Sequence, residues 1–144
     1  MTYLLTLRRH AVAALFIATI LTVIPASISQ AVPEGRHQVS ARICNYDWHK
    51  GTWQIKQLIR CAAHYWKVPG GADTALAIAD RESHFTPNAY NPSGCAGIFQ
   101  QMLRYWPGRA SAYGFTGWSA FNARANIIVS MRMVARGGWG PWGT

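Results

Sequence analysis

Acidic side chains are scarce in this chain. Asp and Glu total five against fourteen Lys and Arg, a formal net charge of +9. The excess favours anionic partners, whether nucleic acid, lipid or a wall polymer, and leaves few carboxylates for chemistry. No C-x-x-C or H-x-x-x-H spacing occurs, which argues against a zinc site. No fixed-period repeat occurs, which excludes solenoids. Alternating strand patterns are scarce, and no nucleic-acid recognition motif is present. Charged residues make up only 13% and apolar residues 50%, so the chain is not a disordered polar tail. Its 144 residues suffice for one domain.

The N-terminus reads as a secretory leader over residues 1–31. Arg8 and Arg9 give it a positive start, and Ala11 to Ile24 is an apolar run broken by Pro25. Ser29 and Ala31 place small residues at the −3 and −1 positions of a cleavage site. The run falls short of the ~20 residues that a spanning helix needs, so no stable membrane anchor is expected. Cleavage removes Arg8 and Arg9 and leaves twelve basic against five acidic residues. A loose arm is expected over residues 32–43, and the folded domain over 44–144. Export also argues against a nucleic-acid partner.

Export permits disulfides, and three cysteines always leave one unpaired. Cys61 is expected on a helix flank and Cys95 in a tight loop. The pair Cys61–Cys95 is favoured, with Cys44–Cys61 next. No His–Cys pattern surrounds any of the three, so the leftover thiol is read as inert.

Helical periodicity dominates the rest. Ile55, Leu58, Ile59, Ala62 and Trp66 form an apolar stripe behind Thr52, the expected N-cap, and Pro69-Gly70-Gly71 ends it. A second helix is expected from near Asp73 to Pro87. A turn-rich loop follows over Asn88 to Gly97. Ile98 to Tyr105 is read as helix or short strand, and Pro107 opens a short helix to Tyr113. Ser119 is read as the cap of a long helix whose stripe is Ala120, Ala123, Ile127, Ser130, Met131 and Val134. Gly137-Gly138 stops it, and the tail Trp139-Gly140-Pro141-Trp142 folds back. The expected fold is a small, mainly α single domain with at most a minor β element.

The five carboxylates are Glu34, Asp47, Asp73, Asp80 and Glu82. Glu82 follows Ala75 by seven, Ile78 by four and Ala79 by three, so it continues the apolar face of the second helix. Asp80, about 200° around the helix, points away. A carboxylate on an apolar face resists ionisation, the property required of a general acid near neutral pH. The plain alternative is a Glu82 that only pairs with an arginine at the helix end.

The residues downstream bear on this choice. Glu82-Ser83-His84-Phe85 is followed by Pro87 and Ala89, then by Asn91-Pro92-Ser93-Gly94-Cys95-Ala96-Gly97-Ile98-Phe99-Gln100. This strongly resembles the lysozyme-like lytic transglycosylase domains of the soluble-lytic-transglycosylase type. Their pattern is a Glu-Ser pair at a helix end, an apolar-x-Pro step, then Ser-x-x-Gly-small-x-Gly-apolar-apolar-Gln. Asn91 stands for the leading Ser and Cys95 for the usual Ala. The resemblance runs from about Trp53 to Val134.

The resemblance implies a substrate, the glycan strands of peptidoglycan, and a bond, the β-1,4 link from N-acetylmuramic acid to N-acetylglucosamine. It makes Glu82 the general acid and then the base, with Ser83 supporting it. Gln100 would hydrogen-bond the sugar, and Gly94 and Gly97 would let the loop approach it closely. The family's later Ala-Tyr-Asn motif, whose Tyr bonds the acid, is missing. Either a tail Trp lines the cleft there, or Tyr90, Tyr105 or Tyr113 supplies the phenol. Tyr90 and Trp139 therefore join the expected substrate-binding residues.

The scarcity of acid favours a one-carboxylate mechanism. A retaining glycosidase wants a second carboxylate ~5–5.5 Å away and an inverting one ~6.5–9.5 Å. Asp73 lies about 13.5 Å back along the helix, Asp80 points away, and only Asp47 is unplaced. The expected product carries a 1,6-anhydro end, with no metal or organic cofactor needed. The enzyme is expected to be secreted or in the cell envelope, a monomer, and drawn by charge to anionic wall polymers. The alternatives are a hydrolase that leaves reducing ends and a non-catalytic cationic wall-binding protein.

Overall fold

A computed structural model describes residues 43–143. The expected leader and nearly all of the expected arm lie outside them. Four helices and one two-stranded ribbon make up the described fold, so the expected mainly α class with a minor β element is observed. A 3₁₀ turn at Trp48–Lys50 leads into α1 (Thr52–Tyr65), then α2 (Gly71–Ser83). The ribbon follows as β1 (Cys95–Ala96) and β2 (Gln101–Met102). Helix α3 (Trp106–Ala112), helix α4 (Ala123–Gly137) and a 3₁₀ turn at Gly140–Trp142 complete the order.

Helix α1 buries Ile55, Leu58, Ile59, Ala62 and Ala63. Each fully buried Leu or Ile contributes about 1.5–3 kcal/mol. This face packs on α2 and α4. Gly51, not Thr52, precedes the first turn, and no side chain caps it. Helix α2 begins behind Gly70 in the left-handed region and buries Ala75, Ile78, Ala79 and Ser83.

Helix α4 was expected to carry a single stripe, but every residue from Ala123 to Met131 is buried. Two apolar clusters explain this. Ala123, Ile127, Met131 and Val134 join the α1 and α2 side chains. Ala125, Ile128 and Val129 join Trp106, Ala110, Tyr113 and Phe115 on the other side. The helix is the central post of the domain. Its cap is Asn122, whose side chain accepts from Ala125 N–H at 3.0 Å. Ser119, the expected cap, accepts instead from Phe121 N–H and closes the preceding turn.

The disulfide joins Cys44 to Cys61, which corrects the favoured Cys61–Cys95 pairing. Arg124, buried on α4, donates to the carbonyls of Cys44 (2.9 Å) and Ile43 (2.6 Å). That contact holds the N-terminal segment beside α1, where Cys44 and Cys61 stand 5.5 Å apart between Cα atoms. Burial pulls the Arg124 guanidinium below its ordinary value. Cys95 is the free thiol, half-buried in the ribbon.

Among the described residues no helix is long and apolar enough to cross a membrane.

Candidate active site

Helix α2 ends abruptly beyond Glu82. His84 (φ 49°) and Phe85 (φ 59°) both take the left-handed conformation. Such a bend costs about 1–2 kcal/mol per non-glycine residue. It turns the chain so that Phe85 enters the core. Ser83, also buried, secures the bend: its Oγ donates to the carbonyl of Ile98 at 2.8 Å and lies 3.2 Å from that of Ala79. The helix end is thereby tied to the loop that follows β1.

That loop is tied to α4 in turn. Asn126, with no exposed surface, donates through Nδ2 to the carbonyls of Ala96 (3.1 Å) and Ala120 (2.9 Å). Its Oδ1 accepts from Phe99 N–H at 2.8 Å. Gly97, at φ +77°, leaves room for this amide. A Cβ there would lie 2.3 Å from the Ala120 carbonyl oxygen and 2.5 Å from Asn126 Nδ2. Gly94, at φ +84°, faces open space. Gly97 therefore serves packing within the protein, and Gly94 serves a turn.

Between these parts lies a cleft of about 360 Å³. Glu82, Gln100, Tyr105, Arg109 and Trp142 are among the side chains that line it, and among the described residues Glu82 is the only carboxylate in the lining. Its side chain is 23% exposed rather than buried with the apolar face. Arg81 donates to Glu82 Oε1 from Nη2 (2.8 Å) and Nε (3.2 Å). The same Nη2 donates to the carbonyl of Trp142. Both readings of Glu82 thus have a counterpart: it pairs with an arginine, and it faces the cleft. Oε2 has no protein partner among the described residues.

Gln100 (φ 44°) donates through Nε2 to the carbonyls of Gly97 (2.9 Å) and Ala89 (3.3 Å), which fixes its amide at the cleft wall. The structure thus brings Glu82 and Gln100 together, with Ser83, Gly94 and Gly97 in the supporting bend and loop. Two expected residues lie elsewhere. Tyr90 is 59% exposed and outside the cleft lining. Trp139 is 7% exposed in the core, where its Nε1 donates to the carbonyl of Pro69. Trp142, three residues on, lines the cleft instead, with its Nε1 on the carbonyl of Phe99 (2.9 Å). The tail does fold back, but the second Trp is the one that reaches the cleft.

The remaining described carboxylates stay out of the lining. Asp47 accepts from His49 and Asp80 pairs with His84, both exposed. No group of three or more His, Cys, Asp or Glu able to hold a metal occurs among the described residues.

Sequence reasoning missed Arg81, Arg109, Gln101 and Asn126 as parts of the site, and it took Trp139 rather than Trp142 as the tail tryptophan of the cleft. Adjacency to Glu82 could have flagged Arg81. Polar residues inside the otherwise apolar α4 were a usable signal for Asn126.

A family model described as the transglycosylase SLT domain matches residues 58–133, more than half of the chain. No curated protein and no solved structure gave a match.

Proposed function

Because the chain belongs to the transglycosylase SLT domain family, we propose that it cuts peptidoglycan strands with Glu82 as the single general acid and base. At the level of the family the activity is lytic cleavage of glycosidic bonds in peptidoglycan. The observation that carries the finer reading is the cleft itself: among the described residues Glu82 is the one carboxylate in its lining.

In this reading Arg81 anchors Oε1, and Oε2 carries the working proton. The carboxylic acid protonates the glycosidic oxygen as the bond from the muramic-acid C1 breaks. The sugar's own N-acetyl oxygen bonds to C1 and supports the oxocarbenium-like centre, which removes the need for a second carboxylate. The Glu82 carboxylate then takes the proton of the 6-hydroxyl on the same sugar. That oxygen attacks C1, the acetamido oxygen leaves, and Glu82 is again protonated. The products are a free 4-hydroxyl and a 1,6-anhydro end, with no net addition of water. Gln100, fixed by two backbone carbonyls, offers Oε1 to a sugar N–H or hydroxyl. Trp142 offers a flat apolar face to the ring.

The substrate places the enzyme in the envelope or outside the cell, in keeping with a leader over residues 1–31. The excess of twelve basic over five acidic residues left after cleavage of the leader would concentrate the protein on an acidic wall, an attraction that fades with salt.

The test is release of soluble fragments from purified peptidoglycan by oxidised protein. Glu82→Gln is expected to lower the rate about 10²–10⁴-fold with thermal unfolding unchanged. Equal rates for the two proteins would overturn the assignment.

A further inference from the structure

The cleft holds a second charged group that the reaction above does not use. Arg109, on α3, shares the lining with Glu82. Its Nη1 donates to Gln101 Oε1 at 2.7 Å. Gln101 is 1% exposed, and its Nε2 donates in turn to Ser130 Oγ on α4 at 2.7 Å. This chain runs in one direction, guanidinium to amide to hydroxyl, so it orients the amide and ties Arg109 to the central helix. The Tyr105 ring adds a flat support 5.2 Å from the guanidinium carbon.

A buried glutamine that serves an arginine at a cleft wall is an unusual investment of polar groups, since each must be satisfied away from water. Among the described residues the arginine it holds has no acidic partner. Glu82 pairs with Arg81, Asp47 with His49 and Asp80 with His84, and no described carboxylate pairs with Arg109. Only one of its five N–H donors has a protein acceptor among the described residues. A guanidinium held rigid, half-buried and unpaired matches a planar or tetrahedral oxyanion in a two-pronged contact.

The sugar rings of a glycan strand are neutral, and its negative charge sits on substituents. We propose that Arg109 is the anion-recognition residue of this cleft. It pairs with an oxyanion carried by the strand beside the bond that Glu82 cuts, with Gln101 as its positioning residue. The inference rests on the peptidoglycan reading. Two sources supply that chemistry: the carboxylate of a peptide arm and the phosphate of a wall-linked polymer.

The test uses the full mature chain with Glu82→Gln, which binds without turnover, and reads the fluorescence of the cleft tryptophan. The probes are soluble strands with peptide arms, the same strands stripped of peptides with the freed lactyl carboxyl blocked as its amide, and such stripped strands carrying phosphate. The protein is expected to bind one or both of the anionic strands about tenfold more tightly than the stripped strand, less so as salt rises. Adding Arg109→Gln removes that preference, with the larger loss on the anionic strands. Arg109→Lys restores part of it, and Gln101→Leu weakens it with Arg109 still present. A preference confined to the peptide strand or to the phosphate strand names the source. A preference that survives Arg109→Gln overturns the proposal. So does an equal loss on all three probes, which is what a merely structural role would give. Binding of all three probes without preference overturns this inference alone. Binding of none overturns the glycan reading with it.

Discussion

The helix that carries Glu82 and the loop that lines the same cleft are held by different forces. Helix α2 lies on α1 through apolar side chains, and the Cys44–Cys61 bridge staples α1 to the N-terminal segment. The loop from Tyr90 to Tyr105 has little apolar anchorage beyond Ala96, Ile98 and Phe99. Its position depends on buried polar groups instead: Asn126 on the backbone at Ala96 and Phe99, Ser83 on Ile98, and Gln101 on Ser130. Apolar packing is non-directional and sums over area. A buried amide is directional, and orphaning its partners costs about 1–3 kcal/mol each. The acid is therefore placed by bulk and the opposing loop by geometry.

The sharpest way to break the contrast is Asn126→Leu. It keeps the branched outline but orphans Phe99 N–H and takes a donor from the carbonyls of Ala96 and Ala120. A loss of about 3–5 kcal/mol is expected in urea unfolding, with cleavage falling further than the remaining folded fraction explains. Opening the staple by Cys44→Ser acts on the other region. The chain-entropy model gives a loss of about 3 kcal/mol for a loop of this size. The protein that remains folded should keep its rate, because neither cysteine lines the cleft.

A finer comparison lies within the loop. Gly97→Ala drives a Cβ into the Ala120 carbonyl and the Asn126 amide and should cost about 2–3 kcal/mol. Gly94→Ala meets no atom and should cost only its left-handed conformation, about 1 kcal/mol. Equal losses in chemical denaturation would deny that Gly97 serves the buried amide.

The smallest effect belongs to Asp47. Hydrogen bonds from the His49 side chain and backbone hold its carboxyl below the usual range. A depressed folded value means the carboxylate stabilises the fold above its unfolded pKa and ceases to as pH falls through the folded one. Asp47→Asn should therefore flatten the acid limb of the stability curve, lowering stability slightly at pH ~7 and leaving it unchanged well below pH ~4, where the carboxyl is protonated.

The same division explains how much could be read in the sequence. The apolar stripe of α1 marked that helix, and Glu82-Ser83 followed by the glycine-rich block marked the bend and the loop. The all-round burial of α4 was hidden because a 3.6-residue period reports one face, whereas this helix separates two clusters. The disulfide was misassigned because Arg124, eighty residues from Cys44, decides where the N-terminal segment lies. Trp139 and Trp142 could not be told apart, since the choice rests on which indole N–H meets Pro69 and which meets Phe99. Long-range polar contacts leave no periodic trace.

The most direct test of a one-carboxylate cleft is the mass of the new chain ends released from peptidoglycan in ¹⁸O-labelled water. Ends lighter by one water than the hydrolysed product, free of label and lost with Glu82→Gln, are expected. Labelled reducing ends formed by the same Glu82-dependent reaction would contradict the intramolecular ring closure and require an attacking water that the single carboxylate must activate.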